Sequence, residues 1–249
     1  MNFIKDIEFF LKKIIPEKIQ LQKRLKRAIK NGYEKELNLI KKFGDKKKSA
    51  IDVGVYRGVY SYEMSKYFNF VYGFEPNPII CPYLMKHLTK IIKNMCLYNM
   101  ALSNKTGSVN LRVPKRNNSI FKNNFEELFR LGCATIHEKN TFNDFEKFNV
   151  KVDKLDNIIK NKDVGLIKID VEGHEIEVIN GAKKIINENK PILLVEIEEK
   201  HTKNDVQATI DKINQLGYQS FFFEDNQLRN TKNLSQRTKC NNFIFINKN

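Results

Sequence analysis

From residue 49 onward the chain alternates short β-rich runs with helical ones, and that alternation limits the fold more than any other feature. Residues 49–53, 70–74, 97–102, 109–113, 150–152, 164–171 and 192–197 read as strands. Residues 59–68, 79–92, 155–159, 174–188 and 204–216 read as helices, with Gly217 as a C-cap. The helix over 59–68 turns Met64, Tyr67 and Phe68 inward. Runs at 221–223 and 243–246 close the chain as two further strands. A strand followed by a helix and another strand builds a parallel pair, because a parallel strand needs a crossover to return. The pattern predicts an α/β sheet, mostly parallel, with helices on both faces. A chain of 249 residues holds one full-sized domain of this kind, or two small ones.

The formal charge of +15 invites a polyanion or acidic-membrane partner, but its position matters more than its size. Residues 1–48 hold fifteen Lys/Arg against six Asp/Glu, so +9 sits in one fifth of the chain and +6 in the rest. This segment reads as a basic helical arm. Ile4, Ile7, Leu11 and Ile14 recur at helical spacing up to Pro16. Ile19 or Leu21, Leu25, Ile29, Leu37 and Ile40 resume the pattern around a break at Asn31-Gly32. It is expected either to pack on the main domain with Lys outward or to serve as a membrane-surface or phosphate-binding arm. No apolar run approaches the ~20 residues that span a bilayer. Charged Asp6, Glu8, Lys12 and Lys13 do not suit a signal peptide. Four scattered cysteines form no C-x-x-C, so a reducing cytoplasmic location is expected, with peripheral membrane contact through the arm as an option.

Three successive strand ends carry chemistry. Asp52-Val53-Gly54-Val55-Tyr56-Arg57-Gly58 ends an apolar strand on an acid and two glycines, then enters a helix. Gly54 suits a tight turn, Gly58 suits close approach of a ligand or of the helix, and Asp52 is expected to point at the mouth. Tyr56 and Arg57 replace the middle glycine of a dinucleotide fingerprint, which disfavours a pyrophosphate. Phe74-Glu75-Pro76-Asn77 places a carboxylate 23 residues after Asp52, the spacing at which an acid holds both ribose hydroxyls. Asn99-Met100-Ala101-Leu102-Ser103 ends the next strand with small and polar groups suited to flank an adenine. Each feature alone reads equally as a solvated strand end. Together they favour a nucleoside site, because α/β ligands sit at the carboxyl ends of strands.

These residues, with Gly107 and the block Lys168-Ile169-Asp170-Val171-Glu172-Gly173-His174-Glu175, resemble the FkbM family of S-adenosylmethionine-dependent methyltransferases. Val152-Asp153-Lys154-Leu155-Asp156 fits the lead-in, and Val178, Gly181-Ala182 and Val195-Glu196-Ile197 continue the match. The chain departs from the family at Val55-Tyr56-Arg57, where Ala-Asn is common. The resemblance runs from about residue 50 to 246. It implies a Rossmann-like class I methyltransferase with a seven-stranded, mostly parallel sheet, preceded by the arm at 1–48. The methyltransferase domain then covers 49–249, and a Phe-rich insert at 115–149 either covers the acceptor side or caps the sheet. The resemblance further implies S-adenosylmethionine as cofactor and methyl transfer to a hydroxyl of a sugar, glycan or other small hydroxylated acceptor. Expected cofactor contacts are Asp52, Gly54, Tyr56, Gly58, Ser61, Glu75, Pro76, Asn99, Ala101 and Asp170.

A hydroxyl acceptor must lie in line with the S–CH₃ bond and lose its proton. Asp170, Glu172, His174 and Glu196 cluster at the ends of two strands and are the catalytic candidates. Asp170 is expected to face the methyl group, and Glu172 or His174 to act as base. Other roles compete. Glu172 and Glu175 suit the positive start of a helix whatever else they do. Lys168 suits an ion pair with Asp170 or Glu196 inside the sheet. Asp-x-Glu-x-His matches no strong metal pattern, so no metal is expected. An RNA methyltransferase is the competing enzyme, with the arm on phosphates and Asp170, Lys200 and Glu224 near the base. A membrane-attached scaffold is the non-enzymatic competitor.

Overall fold

The computed structural model describes residues 15–32, 34–114, 134–136, 145–160, 162–198, 206–233 and 240–248. Helices α1 (Glu17–Lys30) and α2 (Leu37–Phe43) come first. Then follow β1 (Ser49–Val53), α3 (Val59–Tyr67), β2 (Val71–Phe74), α4 (Cys81–Ile91) and β3 (Met95–Tyr98). Three strands, β4 (Ala101–Leu102), β5 (Gly107–Pro114) and β6 (Phe145–Asp153), lead to the short helix α5 (Leu155–Ile158). The second half holds β7 (Val164–Ile169), α6 (Glu175–Asn180), α7 (Lys183–Asn189), β8 (Ile192–Glu196) and α8 (Val206–Asn214). It ends in β9 (Tyr218–Glu224), β10 (Gln227–Asn230), a 3₁₀ turn at Thr231–Asn233, and β11 (Asn242–Asn247).

The main sheet runs β10-β9-β11-β8-β7-β1-β2-β3. Strands β3, β2, β1, β7 and β8 are mutually parallel, and β11 is antiparallel to both β8 and β9. Chain order reverses between β1 and β7, so the strand ends there open a crevice. Two apolar layers cover the sheet. One joins Ala50, Leu194 and Ile244 to helices α1 to α4 through Leu25, Ile40, Met64 and Leu88. The other joins Ile51, Ile167 and Phe243 to α5 to α8 through Leu155, Val178, Ile186 and Ile210. Strand β7 has five of its six residues buried, as a central parallel strand must.

The α/β class is as expected, but the sheet differs in detail from seven strands. An eighth strand, β10, folds back on β9 through Asp225 and Asn226, both at positive φ (50° and 58°) as a type I′ turn requires. Its sequence, Gln-Leu-Arg-Asn, is mostly polar and its turn lacks glycine, so it carries no strand signal. A separate three-stranded sheet, β4-β6-β5, stands beside the first. The expected strand over 97–102 divides between the two sheets, because Asn99 Nδ2 reaches back to the Glu75 carbonyl (2.8 Å) and turns the chain away. The expected helix over 174–188 is two helices, α6 and α7, meeting at Gly181-Ala182.

The described part of the arm docks on α3 and α4. Leu21 and Leu25 on α1 are each 1% exposed, and Ile40 on α2 is fully buried. His87 Nε2 of α4 lies 2.9 Å from Glu17 Oε2. The expected first helix with Ile4, Ile7, Leu11 and Ile14 lies outside the described residues, as do most of 115–149 and its Phe121, Phe125, Phe129 and Phe142. Phe145 and Phe148 belong to β6. No helix among the described residues is long and apolar enough to cross a membrane.

Candidate active site

A cavity of about 260 Å³ opens at the carboxyl ends of β1, β2, β7 and β8. Gly54 turns the chain out of β1 at φ +87° and lies against the Asp170 backbone. Tyr56 follows at φ 48°, and its N–H donates to Glu75 Oε2 at 2.8 Å. Asn77 N–H donates to the other oxygen, Oε1, at 2.9 Å. Glu75 therefore ties the β1 turn to the β2 turn. Burial pushes its carboxyl up to about 7 despite those two donors. Each carboxylate oxygen keeps a second lone pair.

Asp170 and Glu172 follow β7, where Glu172 takes φ 55°. Thr135, 1% exposed, holds that turn by donating its hydroxyl to the Glu172 carbonyl (2.8 Å). Thr135 is itself fixed by two backbone hydrogen bonds with Arg112 of β5 (2.8 and 3.0 Å). Its neighbours Ala134 and Ile136 line the cavity with Ile80 and Leu111, giving it an apolar wall.

Lys168, 1% exposed, lies behind the strand ends. Its ammonium is 3.1 Å from Asp170 Oδ2 and 4.8 Å from the Tyr60 ring centroid. Burial alone would lower that ammonium, but the carboxylates around it, Asp170 first, hold it above the usual lysine value. Glu196 at the end of β8 hydrogen-bonds Asp170, and burial followed by the Asp170 charge pushes it up to about 9. Asp170 and Glu196 thus form a hydrogen-bonded carboxyl pair beside a fixed cation. Such a pair can accept a proton from a bound hydroxyl.

The expected site residues divide between the cavity and its supports. Gly54, Tyr56, Glu75, Pro76, Ala101, Asp170, Glu172 and Glu196 line it. Asp52 does not point at the mouth. It shares the α1–α4 side of β1 with Ala50, is 1% exposed, and accepts a 2.5 Å hydrogen bond from Ser61. Burial pushes its carboxyl up to about 6. Ser61 is thereby a partner of Asp52 rather than a lining residue. Gly58 starts α3 against Leu88, and Asn99 braces the Glu75 carbonyl. His174 is also outside the lining set: Nε2 lies 2.9 Å from Ser103 Oγ and Nδ1 lies 3.6 Å from Glu177. A base role for His174 finds no support in that placement. Lys168 has the ion pair with Asp170 that its position in the strand suggested. Glu224 instead pairs with Arg229 at the β9–β10 hairpin (3.5 Å), and Lys200 lies outside the described residues.

Three contributors carried no sequence signal. Glu34 comes from the arm and lines the cavity, with its Oε2 bonded by the Tyr60 hydroxyl at 2.6 Å. Tyr60 lies on the first turn of α3 and looks like any core aromatic in sequence. Thr135 lies in a stretch without period. Five carboxylates line the cavity (Glu34, Glu75, Asp170, Glu172 and Glu196), against Arg57 as the one basic residue among the described lining. A chain of net +15 thus presents an acidic site. Among the described residues, no group of three or more His, Cys, Asp or Glu is placed to hold a metal ion.

Residues 52–220 match the family model described as the Methyltransferase FkbM domain. No curated protein sequence matches the chain. Among solved structures, the methyltransferase FkbM from Methylobacillus flagellatus KT is similar with 17% identity and a TM-score of 0.51, over 81% of this chain and 44% of that one. This chain therefore spans less than half the length of that relative. SMU.1697c from Streptococcus mutans, solved in complex with SAH, is similar with 13% identity and a TM-score of 0.48, over 85% of this chain and 94% of that one. A TehB-like SAM-dependent methyltransferase from Corynebacterium glutamicum has 12% identity and a TM-score of 0.46, over 92% and 96% of the two chains.

Proposed function

Because the chain belongs to the FkbM family of S-adenosylmethionine-dependent methyltransferases, we propose that it methylates a hydroxyl of a sugar, glycan or other small hydroxylated acceptor. The hydrogen-bonded pair of Asp170 and Glu196, facing a cavity and backed by Lys168, carries this reading. Methylating a hydroxyl requires a group that takes its proton, and this pair is built to do so.

The chemistry of the lining fits the cofactor. S-adenosylmethionine carries a vicinal diol, a sulfonium and an ammonium. Glu75 keeps lone pairs for the diol, and the ring of carboxylates suits the two cations. Met100, Ala101 and Leu102 offer an apolar edge for a flat base. When bound, the cofactor supplies an electrophilic methyl group. The protein's own work is to orient, to exclude water and to move one proton. Gly54 and Tyr56 set the turn on which the cofactor's amino-acid end would rest. Leu111, Ala134 and Ile136 shield the acceptor side from solvent. Asp170, held by Lys168 and by its hydrogen bond to Glu196, takes the hydroxyl proton as the methyl group leaves the sulfonium.

We read residues 49–249 as the methyltransferase domain, 1–48 as an arm docked on it, and the insert at 115–149 as part of the acceptor side, since Ala134 and Ile136 line the cavity. The acidic lining disfavours an RNA phosphate backbone at the reacting centre. Titration calorimetry with S-adenosylmethionine tests the first half. Wild type should bind, and Glu75→Ala should weaken binding about 10- to 100-fold, as loss of a buried charged hydrogen-bond acceptor does. Unchanged affinity would remove Glu75 from the site. Labelled-methyl transfer to a panel of sugars, phenols and RNA tests the second half; labelling of RNA alone would overturn the hydroxyl acceptor proposed here.

A further inference from the structure

The region matched to the family starts at residue 52, yet the cavity is incomplete without a residue from the arm. Glu34 lies between α1 and α2. Its Oε2 accepts the Tyr60 hydroxyl at 2.6 Å and the Asn242 side-chain amide at 3.5 Å. Tyr60 is 7% exposed, and the Lys168 ammonium rests on its ring, 4.8 Å from the centroid. That ammonium is 3.1 Å from Asp170. Asn242 pairs with Glu196 across β11 and β8. Glu34 is therefore held at both ends of the pair: through Tyr60 and Lys168 to Asp170, and through Asn242 to the strand that carries Glu196.

We propose that Glu34 is a positioning residue for methyl transfer: through Tyr60 it fixes Lys168 against Asp170, and so sets the geometry and charge of the Asp170–Glu196 pair. This rests on the reading that the pair receives the acceptor's proton. The charged groups facing Glu196 are Lys168 of β7, Asp170 just after it, and Glu34 from the arm. The Glu34 charge opposes ionisation of Glu196, so its removal makes Glu196 a stronger acid and a weaker base. On this view the arm contributes directly to the geometry of the site.

The test uses the full chain with ¹³C-labelled glutamate carboxyls, and the Glu196 signal is assigned with Glu196→Gln. Glu34→Gln keeps an oxygen for Tyr60 but removes the charge. The Glu196 midpoint, about 9 in wild type, should fall by roughly half a pH unit or more. Tyr60→Phe keeps the ring under Lys168 and cuts the tether to Glu34, and should shift the midpoint in the same direction. Glu17→Gln, on the same arm but bonded to His87, should leave it in place. Calorimetry should give wild-type affinity for S-adenosylmethionine in Glu17→Gln. In methyl-transfer assays the acid limb of the kcat profile should move to lower pH with Glu34→Gln. A Glu196 midpoint within about 0.1 pH unit of wild type in both Glu34→Gln and Tyr60→Phe overturns the proposal. Failure of wild type to bind the cofactor or to methylate any hydroxyl would instead sink the functional reading, and the titration would still report on Glu34 separately.

Discussion

A Cβ on Gly54 would stand 1.9 Å from the Asp170 carbonyl oxygen, and the φ of +87° is itself costly for any other residue. The backbone there cannot yield without moving β7 away from β1, since Asp170 N–H donates to the Val53 carbonyl at 2.9 Å. Gly54→Ala should therefore cost about 3 kcal/mol or more, and should remove cofactor binding. Thermal melts and calorimetry would check it; a variant that melts and binds like wild type would show that the turn is softer than its contacts imply. Gly54 and Glu75 are legible in sequence because both follow short apolar strands directly. Asp52 is not. It has the same acidic side chain near a strand end, but it lies within β1, beside Lys168 in register and bonded by Ser61, and so is buried behind the lining. His174 is similar: proximity in sequence to Asp170 suggests a shared task, yet its ring nitrogens face Ser103 and Glu177.

At the level of elements, α6 and α7 show why a continuous apolar period does not make one helix. Residues 174–188 keep helical spacing throughout, but Gly181 lies so close to the Ser103 carbonyl that a Cβ would be 2.0 Å from it. The chain bends there, and α7 starts with exposed N–H groups. Asp156, just inside α5, supplies the cap: its carboxylate accepts from Lys184 N–H at 2.9 Å and Ile185 N–H at 3.0 Å. It thus satisfies a helix 27 residues further along the chain. Asp156→Ala should cost about 1 kcal/mol, with Asp156→Asn retaining most of that. Chemical denaturation would measure both; an Ala variant as stable as wild type would mean that water replaces the cap. The α5 lead-in was recognisable as sequence, but its capping role was not, because the donors come from another element. Strand β10 escaped for the opposite reason: its pairing with β9 comes from a local turn whose Asp-Asn pair is less distinctive than Asn-Gly.

On the scale of the molecule, the buried acids in and around the cavity set how stability follows pH. Asp52, Glu75, Glu175 and Glu196 are pushed up to about 6, 7, 7 and 9, from ordinary values of 3.8 for Asp and 4.5 for Glu, in each case first by burial. The folded chain then binds more protons than the unfolded one. The stabilisation is fully present below the ordinary values and is lost as pH rises through the folded ones. Without cofactor, the melting temperature should fall between pH 5.5 and pH 8.5. Glu75 alone would account for about 2 kcal/mol of that decline. Scanning calorimetry across the range, with Glu75→Gln as a flatter comparison, would test it. A melting temperature that is level or rises would show these acids to be better solvated than their burial implies. Lys168 does not enter this window, because its raised ammonium loses stability only in strong alkali. The +15 charge belongs largely to the outer surface and the arm, so it leaves this internal balance almost untouched.

Sequence by itself determined the α/β class, the parallel core and the strand-end acids at Glu75, Asp170 and Glu196. Those rest on local facts: periodicity, glycine at turns and short apolar runs. Only the tertiary structure decided that Glu34 and Thr135 join the site, that Lys168 supports Asp170 from behind, and that Asp52 and His174 face elsewhere. Such placements depend on strand register and on which helix packs across which face. Both are settled by contacts between residues far apart in the chain, which no local pattern records.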